Sequence, residues 1–277
     1  MLHRTVSEKK KPIINIVIPM SGEGSRFANV GFMNPKPMIK IGGRPMINWV
    51  IENLKPNEFD PHYIFVVQKS HEKKHNISTK LKKQAKNVTV VITDVLTEGP
   101  LCTCLLAKHL IDSKHPLMIA NSDQYLEWDV NTFIRQVCST TIDGGIVTFF
   151  VPPSLNDTRW SYVKKSQSTG YVVECQEKKV ISDEATVGVY WFSHGNDFVR
   201  YAERMVKKNV RVNNEFYVCP VYNEGISDGQ KYVCFKCDRM WGLGVPDDAR
   251  AFQSGFLNWS KSEIEIWEKN EKTEYQE

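Results

Sequence analysis

Apolar residues fall along the first half of the chain in short, nearly unbroken runs. Ile13–Pro19, Tyr63–Val67, Val88–Ile92 and Pro116–Ala120 each have the length and β-branched content of a strand covered on both faces. Between them, Pro45–Leu54, Ser70–Lys86 and Gly99–Ile111 have helical length and mixed polarity. Strands alternating with helices predict βαβ crossovers and an α/β fold with a mostly parallel central sheet and helices on both faces. Functional loops then belong at the carboxyl ends of the strands.

After Asp143 the rhythm changes. Gly145–Val151, Trp160–Lys164, Gly170–Gln176 and Thr186–Phe192 read as strands with few helices between them, a mixed-sheet extension of the same domain. Helices are predicted again over Gly195–Lys207 and Glu215–Glu224, then a strand over Lys231–Cys237 and a helix from Pro246. The segment Ser260–Glu277 is highly charged and reads as a fraying tail. We therefore expect one domain over 12–257, with a first half (12–143) and a second half (144–257), flanked by charged tails at 1–11 and 258–277.

A net charge of +4 is too small to mark a nucleic-acid binder, and the lysines of Lys9–Lys11 and Lys69–Lys86 read as a solvated tail and a solvated helix face. The chain has no apolar run of membrane-spanning length and no signal-peptide h-region, so a cytoplasmic protein is expected. Seven scattered cysteines form no disulfide framework.

The strongest local chemistry follows the first strand, in Pro19-Met20-Ser21-Gly22-Glu23-Gly24-Ser25-Arg26-Phe27. Glycines at 22 and 24 let backbone N–H groups close around phosphate oxygens, and the Arg26 guanidinium can grip a phosphate through two bonds. Further on, Pro35 and Pro37 hold Lys36 on a stiff extended segment. A dinucleotide fingerprint would need a third glycine where Phe27 stands, and the Gly-Lys-Ser/Thr of a kinase-type P-loop is missing. The strand Pro116–Ala120 runs into Asn121-Ser122-Asp123 and so ends in a carboxylate, a group that suits Mg2+, which is typically held by one or two carboxylates plus substrate phosphates.

G-x-G-x-R-F followed by P-K-P-M resembles the signature of the sugar-1-phosphate nucleotidyltransferases, which phosphocholine-type cytidylyltransferases share. The resemblance extends from about Ile13 to Phe252 and implies a Rossmann-like, GT-A-like fold. It implies an enzyme moving a nucleoside monophosphate from an NTP to a phosphorylated metabolite, first of all a sugar 1-phosphate, with release of pyrophosphate. Met20, Ser21, Gly22, Glu23 and Gly24 would wrap the triphosphate, Arg26 and Lys36 would neutralise its charge, and Asp123 would hold Mg2+. Glu177-Lys178 resembles the family's Glu-Lys pair on the acceptor, with Val187 and Gly188 on the following pocket-lining strand and Tyr162 at a bulkier version of the Gly-Tyr-Gly-like turn.

Two departures from the family pattern stand out. Many members carry W-x-D-x-G-T-P, whereas Trp241-Gly242-Leu243-Gly244-Val245-Pro246 puts Gly242 at the aspartate position. Either the metal rests on Asp123, phosphates and waters, or a neighbour such as Asp238 substitutes. Where relatives read a pyrimidine with glutamine, Asp94 precedes Thr97-Glu98-Gly99. A carboxylate there accepts from cytosine's amino group and repels uracil's carbonyl, which tilts the expectation towards CTP, with Asp94, Glu98 and Gly99 on the nucleotide.

A non-sugar acceptor such as phosphocholine or a phosphorylated amide remains open. So do a glycosyltransferase, although Asp123-Gln124-Tyr125 is no Asp-x-Asp, and a non-catalytic regulatory subunit. The expected partners are small molecules, with no nucleic acid or membrane and with a homo-oligomer open. His71-Glu72-Lys73-Lys74-His75 matches a zinc-peptidase pattern, but its lysines mark a solvated face. Cys234 and Cys237 sit three apart in a strand, on opposite faces.

Overall fold

The structure, a computed structural model, describes residues 10–139 and 141–273. Residues 1–9 of the expected amino-terminal tail, Lys9 included, and 274–277 of the carboxyl-terminal one lie outside the described residues. Among the described residues nine strands form the main sheet: β1 (Ile13–Met20), β2 (Asp60–Gln68), β3 (Val88–Thr93), β4 (Leu117–Ala120), β5 (Gly144–Phe150), β6 (Ser161–Lys165), β7 (Val172–Glu177), β8 (Glu184–Phe192) and β9 (Tyr232–Lys236). Their order is β7-β6-β8-β4-β1-β2-β3, with β5 pairing β8 and β9.

The expected parallel half is β4-β1-β2-β3. The mixed half joins it through β8, antiparallel to both β4 and β5. Strands from the two halves of the chain thus share one sheet.

Alternation along β1 explains the layers. Ile14, Ile16, Ile18 and Met20 face a core completed by Val50 and Ile51 of the helix Met46–Asn53, by Leu54 just after it and by Phe133, Ile134 and Val137 of Val130–Val137. Val17 faces the other side, against Leu101 and Cys104 of Pro100–Leu105 and Phe198 and Tyr201 of Gly195–Lys207. Cys237 and Cys234 pack against these two opposite cores, as their spacing predicted.

Several expected elements differ. The helix predicted over Ser70–Lys86 breaks at Asn76, a left-handed residue (φ 49°) between Lys69–His75 and Ile77–Lys82, a conformation asparagine tolerates well. Gly99–Ile111 likewise divides into Pro100–Leu105 and Lys108–Ile111. The helix expected over Glu215–Glu224 is Val221–Ser227, because Asn213 and Asn214 are left-handed and Pro220, which has no N–H, stands at the helix start.

The carboxyl-terminal tail is instead a helix, Lys261–Thr273. Its start carries a capping box: Ser260 Oγ donates to Glu263 Oε2 at 2.6 Å, and Glu263 accepts the Ser260 N–H at 2.7 Å. Trp267 is buried in a third core with Phe27, Phe32, Ile39, Trp49, Trp241, Leu243 and Phe252, and its indole donates to the Lys40 carbonyl. Glu271 accepts the Lys40 N–H at 3.0 Å, so this helix braces the segment that carries Lys36.

No helix among the described residues is long and apolar enough to cross a membrane. No group of three or more potential metal ligands occurs among them either, and Glu72 of the peptidase-like pattern caps Ser78 N at 2.8 Å. Burial drives the His75 imidazole down to about 4. The unfolded chain therefore takes up a proton near pH 6.5 that the folded chain refuses. The stability tied to neutral His75 is complete above that pH and is lost as pH falls towards 4. Urea titrations at pH 7.5 and 5.0 should show a smaller acid loss in His75→Gln than in the wild type; equal losses would contradict this.

Candidate active site

The site follows from the register of two strands. β1 and β4 are adjacent and parallel, with Asn15 beside Leu117 and Val17 beside Ile119, so their carboxyl ends emerge side by side. The glycine loop leaves one and Asn121-Ser122-Asp123 leaves the other. A cavity of about 320 Å3 opens between them, within the range of small-molecule sites, lined at this edge by Met20, Ser21, Gly22, Asn121, Ser122 and Asp123. Lys36 and Pro37 close one side, and Leu96, Thr97, Gly99, Pro100, Thr103 and Glu215 another.

Lys36 Nζ donates to Asp123 Oδ2 at 2.6 Å, with both side chains about three-quarters buried. Gly24 makes this approach possible. It is left-handed (φ 66°), and a Cβ there would stand 3.1 Å from the Lys36 Cβ. Gly22 has no such structural duty, since nothing lies within 4 Å of a Cβ built on it. Arg26 is exposed on the short helix Ser25–Ala28, which is anchored by buried Phe27; neither Arg26 nor Glu23 lines the cavity.

The mixed half supplies the remaining wall. A register shift in β8 between Thr186 and Tyr190 contains Gly188 (φ 79°), whose carbonyl accepts the Asn121 N–H at 3.0 Å. A Cβ on Gly188 would come within 2.1 Å of Asn121 Nδ2, so this glycine makes room for a cavity residue without lining the cavity itself. Val187 points into the main core. On the far wall, Gly99 (φ 113°) packs so closely on Phe216 that a Cβ would meet its carbonyl at 2.6 Å, which ties the 96–100 loop to Glu215.

Lys178 (φ 54°) donates to Tyr217 Oη at 2.5 Å, and Tyr217 in turn donates to Glu215. The lysine therefore reaches the cavity edge through two intermediaries. Glu177 is buried beneath it and accepts from Ser161 Oγ; burial pushes its carboxyl up, against the opposing pull of that hydrogen bond and of Lys178.

Three expectations need correction. Asp94 is exposed, pairs with Lys69 at 3.1 Å and is held below its ordinary value by that lysine; it does not line the cavity, so the argument for cytosine loses its residue. Glu98 pairs with Arg211 at 2.5 Å outside the cavity. Tyr162 is fully buried and donates to the Asp157 carbonyl at 2.7 Å, which closes it to an acceptor. Asn121, Thr97 and Thr103 were missed as lining residues. The Ser21–Thr103 hydroxyl contact at 3.4 Å, across eighty-two positions, has no local signal in the sequence.

The sheet, the loop and the cavity correspond to a known family. The nucleotidyl transferase pattern matches residues 16–249. The chain belongs to this family. No curated protein matches it. Among solved structures, a nucleoside-diphosphate-sugar pyrophosphorylase from Vibrio cholerae RC9 is 23% identical, with TM-score 0.69 over 86% of this chain and 98% of that one. A UTP-bound UGPase from Acinetobacter baumannii is 17% identical, with TM-score 0.69 over 92% and 97%. An inositol-1-phosphate CTP transferase from T. maritima is 12% identical, with TM-score 0.64 over 94% and 97%. At these identities the likeness establishes the nucleotidyltransferase fold.

Metal dependence can be tested against the donor set. Asp123 Oδ2 already holds a cation, the Lys36 ammonium, and lies 2.7 Å from where a Cβ on Gly244 would stand, so a glycine keeps that oxygen uncrowded. A hard carboxylate oxygen on the cavity wall suits a divalent ion such as Mg2+. Asp238, the substitute considered above, does not: its N–H donates to the Glu127 carbonyl, at the end of the Gln124–Glu127/Arg239–Gly242 ribbon away from Asp123.

Gly22 separates structure from function. Gly22→Ala should unfold in urea within about 0.5 kcal/mol of the wild type yet bind nucleotide more weakly. Gly188→Ala should lose about 1–3 kcal/mol, because its backbone conformation disfavours any side chain. Full nucleotide affinity in folded Gly22→Ala would contradict the phosphate cradle.

Proposed function

We propose that this nucleotidyltransferase couples an NTP to a sugar 1-phosphate, releasing pyrophosphate. The observation that carries this reading is the convergence of Ser21–Gly22, Lys36 and Asp123 on one cavity. An oxygen of the acceptor phosphate attacks the α-phosphorus. The bond from that phosphorus to the oxygen bridging the β-phosphate breaks, and pyrophosphate leaves with the electron pair. The nucleophile is already an anion, so no general base is required.

The residues' task is to hold two mutually repelling polyanions in line and to stabilise charge moving onto pyrophosphate. Backbone N–H groups of 21–24 orient the triphosphate. The Lys36 ammonium moves from Asp123 to phosphate oxygen, and Arg26 adds positive charge at the loop's outer edge. A Mg2+ on Asp123 would neutralise charge on phosphate oxygens as a Lewis acid.

The acceptor reading rests on the lining. The Asn121 amide and the Glu215 carboxylate offer a donor and acceptors to a polyhydroxylated ring, beside the Thr97 and Thr103 hydroxyls that bond each other at 2.6 Å. A quaternary ammonium such as choline is recognised by aromatic faces, and no aromatic side chain lines this cavity among the described residues. The Glu215–Tyr217–Lys178 chain stiffens the same wall, with the ammonium 4.6 Å from the Tyr217 ring centre.

Pyrophosphate release with each NTP and a panel of phosphorylated acceptors checks this. Turnover is expected with a sugar 1-phosphate and not with phosphocholine. Lys36→Ala and Asp123→Ala should each reduce it on the order of 10²–10³-fold, the scale of a lost electrostatic stabiliser. Turnover with phosphocholine alone would overturn the acceptor reading, and near-normal rates in either variant would overturn the site.

A further inference from the structure

The ribbon position where the family resemblance expects a second metal carboxylate is Gly242, yet a carboxylate occupies that space. A Cβ built on Gly242 would meet Asp248 Oδ2 at 2.9 Å and its Cγ at 3.2 Å. The Asp248 side chain thus lies across the starting point of any side chain at 242. Two residues further, the space before Gly244 is taken in the same way by Asp123 Oδ2, at 2.7 Å. The short Gly242–Gly244 segment therefore abuts one carboxylate at each glycine, and its middle residue, buried Leu243, is fixed to the Asp123 carbonyl by an N–H bond of 2.8 Å.

We propose that Asp248 supplies the second carboxylate of the divalent-metal site, from the helix Pro246–Gly255 instead of from ribbon position 242. The inference rests on the metal-dependent transfer proposed above.

Three observations separate Asp248 from an ordinary acidic residue at a helix start. Among the described residues it is half-buried and has no hydrogen bond or ion pair. Its neighbour Asp247, exposed in the same first turn, pairs with Arg250. Asp248 also lies within electrostatic reach of Asp123 and Arg26, both assigned to the transfer, and of Arg159. Its backbone is held firmly: Pro246 opens the helix and Ala249 is fully buried in the third core. A partly buried carboxylate left unpaired beside another carboxylate is unfavourable by itself, and a shared divalent cation removes that cost.

The test is a carboxylate transplant. Mn2+ binding to the whole protein is followed by electron paramagnetic resonance in the presence of α,β-methylene analogues of the NTPs, in the wild type, Asp248→Asn, Asp248→Ala, Gly242→Asp and Gly242→Asp with Asp248→Ala. Asp248→Asn and Asp248→Ala should weaken Mn2+ binding on the order of 10–100-fold, the scale of lost metal-site partners. Gly242→Asp with Asp248→Ala should recover most of that loss, because the carboxylate returns from the other side and the crowding atom is gone.

Wild-type Mn2+ affinity in Asp248→Ala would overturn the inference while leaving pyrophosphate release and the proposed function untouched. So would a lowered urea midpoint in Asp248→Asn with unchanged Mn2+ affinity, which would assign the residue to the helix start alone. Absence of Mn2+ binding in the wild type, with no pyrophosphate released from any NTP, would overturn this inference and the proposed function together.

Discussion

Lys36 and Asp123 are separated by eighty-seven positions, and their side chains meet at 2.6 Å on the wall of one cavity. Neither charge is at home there alone. On the proposed reading a carboxylate there is repelled by the polyanionic substrate, and an ammonium three-quarters buried needs an anion. Together they neutralise each other, and on the proposed reading the lysine marks where a cation would sit and a phosphate would draw the lysine away. A partly exposed pair of this kind is worth on the order of 1 kcal/mol. A triphosphate with its counter-ion brings several charges and so exceeds it readily.

The rest of the fold brings these two side chains together. Parallel pairing of β1 and β4 puts their carboxyl ends side by side, which no antiparallel arrangement of the same strands would do. The third core then fixes the pieces that lack a place in the main sheet. Phe27 anchors the glycine loop, Ile39 follows the Lys36 segment, Leu243 donates its N–H to the Asp123 main-chain carbonyl, and Trp267 reaches in from the last helix. Among the described residues, the aromatic side chains of this core hold these pieces without lining the cavity.

The parts readable in the sequence are those whose signal is local. Nearly continuous apolar runs revealed β1 to β4, and Gly24 and Lys36 stood in a recognisable order around two prolines. What stayed hidden depends on partners distant in sequence. Asp94 sits on a loop like a base reader's, but Lys69 holds it outside; Tyr162 resembles a pocket residue, but its hydroxyl is taken by Asp157. Asp248 belongs to no motif, because its place against Gly242 is set by the fold and not by neighbouring residues. The last helix was missed for a different reason. Its charge suggested a tail, although Ser260 and Glu263 carried a capping signal and Trp267 an anchor.

A crystal structure of the protein with Mg2+ and an α,β-methylene NTP analogue addresses the central claim most directly. The account predicts that the 2.6 Å contact opens, with Lys36 Nζ on a phosphate oxygen, Asp123 on the metal and the triphosphate against the N–H groups of residues 21–24. Nucleotide bound elsewhere, with the Lys36–Asp123 pair still closed, would contradict it.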